Sequence, residues 1–338
     1  MIKIAFRLDA NNNIGTGHAV RCMALAETMS KHDCKCVFFC RENREIRDFT
    51  EGRNFNFIPV PLMEPVYEQE WMRDNLKDFD AVFIDSYFVN DEYIDRLNRP
   101  GFTVICYDDN ALYKYSCDIV LNGNIYAQEL SYKYGKKIPE MLIGSEYTLV
   151  RQEFQKVNPI NVQNDAKTVL VCFGGSDARN FTPAALEALN MITNVDIIVI
   201  LGAMTTCDKA VYSIINNKHT RVIKNPSSIA EVMSQCDIVI SSAGSIVYEL
   251  AIIGIPSITV IQAENQEVIA NYLDKNGLMK CIGNWKTVKA EQIKNEVESL
   301  LYDADRRKRE SEKLKKAVSR YGTENAANAI IKIIMRNK

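Results

Sequence analysis

The stretch IKIAFRLDANNNIGTGHAVRC, Ile2–Cys22, reads as a buried strand, a glycine-bearing turn and the start of a helix. A mostly apolar run ends in Asp9, Gly15 and Gly17 follow, and an amphipathic segment extends from about Ala19 to Ser30. The unit then recurs. CVFFC, a charged helical segment near Asn43 to Glu51, FNFIPV, AVFID and TVICYDD carry the same alternation through the first half. Parallel strands covered by helices are apolar on both faces, so this rhythm predicts βαβ units and a parallel sheet. In such sheets ligands bind beyond the carboxyl ends of the strands, which is where Asp9, Asp85, Asp108 and Asp109 fall.

The polar stretch RQEFQKVNPINVQNDAK, Arg151–Lys167, interrupts the pattern, and TVLVCFGG, VDIIVILG, TRVIKN, CDIVISSAG and PSITVIQ restart it. The expected fold is therefore α/β, with two Rossmann-like parallel-sheet domains facing a cleft. The boundaries read as 1–145 for the first domain, 146–167 for a linker, and 168–338 for a second domain that includes the charged C-terminal helices. One of these, DADRRKRESEKLKKAV, interleaves acids with its bases, which suits a solvated helix face better than a contact with an acidic membrane.

The 338 residues hold 41 basic and 43 acidic side chains, a formal net charge of −2. This balance gives no reason to expect nucleic acid or an anionic membrane as partner. A small anionic ligand would have to find local donors. No apolar stretch reaches the roughly 20 residues of a membrane span, and the N-terminus lacks the form of a signal peptide, so a cytoplasmic protein without membrane insertion is expected. Of the ten cysteines, Cys36, Cys106, Cys172 and Cys236 lie in or beside apolar runs and read as reduced core thiols. The three histidines are scattered and Cys34-Lys-Cys36 lacks a matching ligand pair, so no structural metal is expected.

Three glycine turns carry the candidate chemistry. The first lacks the third glycine of G-x-G-x-x-G, because Val20 stands there, and the second strand ends in Cys40 and Arg41 instead of an acid, which argues against a dinucleotide site. It leaves His18 at the first helical turn. There the helix dipole disfavours imidazolium and leaves a ring able to accept a proton; the alternative is a histidine that fills a turn. In VLVCFGGSDARN, Gly174, Gly175 and Ser176 offer a backbone nest for a phosphate, or a tight turn capped by Ser176 or Asp177. In CDIVISSAGSIVYEL, the turn Ser242-Ala243-Gly244-Ser245 precedes a helix bearing Glu249. With Ser245 as N-cap, position N3 is Tyr248, so Glu249 is no capping-box residue. It is placed either to accept the hydroxyls of a ribose or to face solvent. Asn265 and Gln266 in QAENQ offer amides to a ligand or cap the next helix.

IGTGHAVRCMALA, DSY (Asp85–Tyr87), YDD (Tyr107–Asp109), GSEYTLVRQEF, FGGSD, SSAGSIVYE and ENQ follow one another in order along nearly the whole chain. As a set they resemble the UDP-sugar hydrolases of the pseudaminic acid pathway, which split UDP-2,4-diacetamido-2,4,6-trideoxy-β-L-altropyranose, and the related spore-coat polysaccharide proteins. The resemblance implies a glycosyltransferase fold of the two-Rossmann-domain type, with UDP on the C-terminal domain, the sugar towards the N-terminal one, and no metal or other cofactor. It makes His18 the group that activates water. The FGGSD and SSAGS loops would cradle the pyrophosphate and Glu249 would take the ribose. Tyr87 and Asn265 would meet the sugar, with Asp9, Gly15, Gly17, Arg21 and Gln266 also on the substrate side, and the uracil near Val222 to Asn225. The implied reaction is inverting hydrolysis of the anomeric C–O bond, releasing UDP and 2,4-diacetamido-2,4,6-trideoxy-L-altrose. A UDP-sugar glycosyltransferase and a non-catalytic nucleotide-sugar-binding protein are the rival readings on one fold; the latter has no use for a histidine in the first domain.

Overall fold

The structure, a computed structural model, describes residues 1–9, 17–111, 114–215 and 219–338. The chain divides into two α/β units, one of Met1–Gln152 with Ser319–Lys338 and the other of Glu153–Val318. The first contains the strands β1 (Ile2–Leu8), β2 (Cys34–Arg41), β3 (Asn56–Val60), β4 (Ala81–Asp85), β5 (Thr103–Tyr107), β6 (Lys114–Tyr115), β7 (Ile119–Asn122), β8 (Lys133–Tyr134) and β9 (Glu140–Ile143). Its helices are α1 (Gly17–Ser30), α2 (Arg44–Glu51), α3 (Pro65–Asn75), α4 (Asp91–Leu97) and, from the end of the chain, α13 (Gly322–Asn337). The second unit holds β10 (Thr168–Cys172), β11 (Asp196–Leu201), β12 (Thr220–Lys224), β13 (Ile238–Ser242), β14 (Ser257–Ile261) and β15 (Lys280–Asn284). Around them lie α5 (Glu153–Lys156), α6 (Thr182–Leu189), α7 (Asp208–Ile214), α8 (Ile229–Met233), α9 (Ile246–Ile253), α10 (Glu267–Lys275), α11 (Ala290–Tyr302) and α12 (Ala304–Ala317).

Both main sheets are parallel. Their orders are β3-β2-β1-β4-β5-β7-β9 and β12-β11-β10-β13-β14-β15, with β6 and β8 paired apart. Each order reverses once, between β1 and β4 in the first unit and between β10 and β13 in the second. At such a switch point neighbouring loops diverge and leave a crevice beyond the strand ends. In register Leu8 stands opposite Asp85, and Cys172 opposite Ser241, so the carboxyl ends of these strands lie side by side.

Strand alternation divides the first core. Ile4, Phe6 and Leu8 face a layer that includes Met23, Leu25 and Ile330, while Ala5, Val37 and Val82 face Met72, Tyr93 and Leu97. All ten cysteines are free, nine of them buried. Among the described residues no helix is long and apolar enough to cross a membrane.

The domain boundaries read from the sequence need correction at the C-terminus. The last helix, α13 (Gly322–Asn337), belongs to the first unit, where Ala326, Ala327, Ile330, Ile333 and Ile334 join the core over β1 and α1. It is held at its start by Thr323, whose hydroxyl bonds both the carbonyl and the N–H of Val150. The approach there is close: a Cβ on Gly322 would lie 2.4 Å from the carbonyl oxygen of Thr148. The GSEYTLV segment is thus the seat of the last helix. Within the charged run, Arg307 is 1% exposed and not solvated; it donates to the carbonyls of Leu300, Leu301, Gln163 and Asn164, so it closes the C-terminal end of α11 and pins the polar stretch.

Three isoleucines and two alanines of α13 buried in the first core contribute roughly 5 kcal/mol or more of apolar burial. A chain ending at Val318 is expected to lose the cooperative unfolding of the first unit while the second still unfolds cooperatively. Gly322→Val should lower the first transition of a thermal scan by several degrees. An unchanged first transition in both variants would show that α13 is dispensable to that unit.

Candidate active site

The candidate side chains sit at the carboxyl ends of the strands beside the two switch points. In the first unit α1 begins at Gly17, so His18 is its second residue, and it is buried. His18 Nδ1 lies 2.6 Å from Oδ1 of Asp85, the last residue of β4. Arg21, one turn along the same helix, donates to Asp85 from Nε at 2.6 Å and from Nη2 at 2.5 Å. The same guanidinium reaches Asp109 at 3.2 and 3.1 Å and covers the ring of Tyr107 at 3.9 Å. Cys22 adds a thiol contact to Asp85 at 3.5 Å.

Burial by itself raises the Asp85 carboxyl, but the charges of Arg21 and His18 and their hydrogen bonds outweigh it and hold the group well below the usual carboxylate range. Arg21 is correspondingly pushed up by Asp109 and Asp85 against the opposing effect of burial. Two groups compete for Nδ1: Arg21 Nη2, which can only donate, at 3.2 Å, and the ionised Asp85, which can only accept, at the shorter 2.6 Å, so the stronger contact favours the tautomer with the proton on Nδ1. Nε2 is left as the basic nitrogen. Tyr87 packs edge-on against the His18 ring, centroids 4.8 Å apart, and donates its hydroxyl to Asp109 at 2.9 Å; Asn124 donates to the other Asp109 oxygen at 2.8 Å.

Two sequence expectations change here. Asp9 was expected on the substrate side, yet it is 3% exposed, pairs with buried Arg7 at 2.9 Å through Oδ1, and accepts the Ser86 hydroxyl through Oδ2. It braces the loop that carries Tyr87. Arg21 likewise spends its guanidinium on two carboxylates, which makes it a positioning residue for Asp85 and not a free ligand. Gly17 opens the helix as expected, and Gly15 lies outside the described residues. In the sequence Asp85 and Asp109 are legible only as acids at strand ends, and nothing there marks Asn124.

In the second unit the loop after β10 has left-handed backbone at Gly174, Asp177 and Asn180. Gly174, Gly175 and Ser176 are half-buried. The buried carboxylate of Asp177 turns back into the loop, accepting from the N–H groups of Phe181 and Thr182, the Thr182 hydroxyl and the Gln262 amide. Capping of α6 therefore falls to Asp177, and the glycine turn remains free of that task. The loop packs on Gly202, where a Cβ would come within 2.4 Å of the Gly175 carbonyl oxygen, a close approach that sequence reading missed.

The loop after β13 leads into α9 with Ser245 at the N-cap position, exposed and without a side-chain cap bond. Ser242 is buried at the strand end beside the half-buried Gly244. Ala243 is corrected as a phosphate ligand: it is fully buried and its N–H is taken by the Val260 carbonyl at 3.2 Å. Glu249, at the end of the first turn of α9, is 5% exposed, which removes the solvent-facing alternative. Asn265 is exposed. Gln266 accepts the Gln262 N–H and brings its amide nitrogen near Gly244, and neither amide side chain caps α10. Val222 to Asn225 lie at the end of the edge strand β12.

Residues 168–325 match the family model of the glycosyltransferase family 28 C-terminal domain. The chain is 27% identical over 286 residues to the UDP-2,4-diacetamido-2,4,6-trideoxy-beta-L-altropyranose hydrolase of Campylobacter jejuni, covering 82% of this chain and 97% of that protein. It is 26% identical over 290 residues to the uncharacterized protein MJ1062 of Methanocaldococcus jannaschii, where the match covers 81% of this chain but only 59% of the longer relative. Among solved structures, MurG of Acinetobacter baumannii superposes with a TM-score of 0.70 at 14% identity, covering 98% of this chain and 99% of that one. The fold is that of the two-domain glycosyltransferases.

Asp85→Asn tests the pairing. An amide has one oxygen for two donor sets, so either His18 and Arg21 Nη2 or Arg21 Nε and Cys22 must face an N–H₂ group. A loss of roughly 3 kcal/mol of stability is expected at neutral pH. Because the folded carboxyl is depressed, the wild-type advantage is present above the unfolded carboxyl range, near about 3.9, and is lost as pH falls through the folded value. Denaturant titrations of both proteins from pH 7 to pH 3 should show the gap narrowing with acid. A gap independent of pH contradicts an ionised Asp85.

Proposed function

We propose that this chain hydrolyses a UDP-sugar at its anomeric carbon, with UDP-2,4-diacetamido-2,4,6-trideoxy-β-L-altropyranose as substrate. The observation that carries the reading is the His18–Asp85 pair at the strand ends of the first unit. The name of the Campylobacter relative supports the chemistry, and the glycosyltransferase-type second domain supports the nucleotide.

In this reading His18 Nε2 takes a proton from water while Nδ1–H stays on Asp85. The water oxygen bonds to C1 of the sugar from the face opposite the leaving group, the C1–O bond breaks, and its electron pair goes to the β-phosphate oxygen of UDP. Attack from the opposite face inverts the anomeric centre. Arg21 matters because it already neutralises Asp85, so the carboxylate orients the ring and fixes its tautomer without leaving an unbalanced buried charge. Tyr87 walls the ring.

The second unit holds the nucleotide. Backbone N–H groups of the turns at Gly174–Ser176 and Gly244–Ser245 face the developing charge on the diphosphate, where a preorganised donor contributes about 3 kcal/mol to the barrier reduction. Glu249 accepts the ribose hydroxyls, and Asn265 and Gln266 serve the sugar side. A transferase would use the same base on an acceptor hydroxyl, so release of UDP with water as the sole acceptor separates the two.

Reaction in ¹⁸O-water is expected to place the label on the sugar C1 hydroxyl, at an unchanged rate in EDTA. His18→Asn should lower kcat at least about a hundredfold with UDP affinity near wild type. Label in UDP would mean P–O cleavage and would remove His18 from its role. Separately, Glu249→Ala should weaken UDP binding more than pyrophosphate binding; equal weakening rejects the ribose contact.

A further inference from the structure

Three loops meet at the carboxyl edge of the second sheet: residues 173–182 after β10, 243–246 after β13, and 262–266 after β14. Arg179 is the only basic residue on them. It is exposed, yet anchored. Its Nε donates to the Gln262 carbonyl at 3.1 Å and its guanidinium lies over the Trp285 ring at 5.4 Å, so the side chain reaches from the β10 loop to the loop of β14, the strand beyond β13. Gln262 is itself fixed, by its amide on Asp177 and by its N–H on Gln266.

The charge of Arg179 has no local use. Arg7 and Arg21, the well-buried arginines of the first unit, each hold two carboxylates, whereas among the described residues Arg179 makes no ion pair. The nearby carboxylate of Asp177 is already taken by four donors from its own loop and Gln262. An arginine fixed through Nε and an aromatic face keeps its Nη donors for an incoming anion, and its planar fork matches phosphate oxygens. The ordering cost of that side chain is largely met before a ligand arrives.

We infer that Arg179 is the cation that grips the diphosphate of the nucleotide, held in place by the Gln262 carbonyl and the Trp285 ring. The inference rests on the proposed function for the nucleotide, and adds the positive charge that backbone donors alone do not provide. Its role is largest on the terminal phosphate, which carries the charge that develops as the sugar–oxygen bond breaks.

Isothermal titration of the full chain with UDP, UMP and uridine tests it, in wild type, Arg179→Gln and Arg179→Lys, each first checked for an unchanged thermal transition. A charge-assisted contact is worth about 1.5–3 kcal/mol, so Arg179→Gln should weaken UDP about ten- to a hundredfold. The same change should weaken UMP by less and leave uridine within about twofold, with Arg179→Lys intermediate for UDP. Equal UDP affinity in wild type and Arg179→Gln overturns the inference while leaving the proposed function intact. Equal losses for UDP and uridine overturn it too, since they would assign Arg179 to the nucleoside. Absence of UDP binding by wild type overturns the proposed function itself, and this inference with it.

Discussion

Asp85 ends a fully buried strand with its carboxylate set between a histidine and an arginine of one helix. That carboxylate could not remain ionised there without Arg21, and His18 could not hold one orientation without the carboxylate. The helical spacing supplies the geometry, because residues three apart share a face, so His18 and Arg21 descend on the same acceptor. A second tier holds the first. Asp109 takes the rest of the Arg21 fork and the Tyr87 hydroxyl, and Arg7 with Asp9 braces the Ser86 end of the same loop. Arg7, Asp9, Glu68 and Asp85 are tolerated as buried charges because each is matched by an opposite one at hydrogen-bond distance.

The two units solve different electrostatic problems with one strand order. In the first, arginines are spent on carboxylates and the outcome is an oriented imidazole beside a compensated acid. In the second, the acid on the glycine loop is turned inward and the loop's arginine is left without a carboxylate.

How much was legible in the sequence follows from which interactions are local. Apolar runs ending in Asp9, Asp85 and Asp109 mark the strands and their carboxyl ends, because burial on both faces is written in composition. The turn-to-helix position of His18 was legible for the same reason. What escaped was pairing. Asp9 and Arg21 have the residue types of ligands, and only the tertiary structure shows that Arg7, Ser86, Asp85 and Asp109 already satisfy them. The apolar face of the last helix was readable as a face, but nothing in Ala326, Ile330 or Ile334 says which of two cores it covers; that is decided by the close fit of Gly322 on Thr148 and by Thr323 on Val150. Arg307 sat in a run of charges and looked solvated, since a carbonyl cluster at the end of a helix has no sequence signature.

Whether His18 can accept a proton from water depends on which nitrogen carries the proton in the neutral ring. With three histidines in the chain, long-range ¹H–¹⁵N correlation spectra resolve each side chain, and a His18→Asn sample assigns the relevant one. The spectrum of the neutral ring should show the proton on Nδ1, in a strong hydrogen bond to Asp85, with Nε2 unprotonated. A proton on Nε2 would leave the Nδ1 lone pair facing a carboxylate, and His18 could not then be the base that activates water.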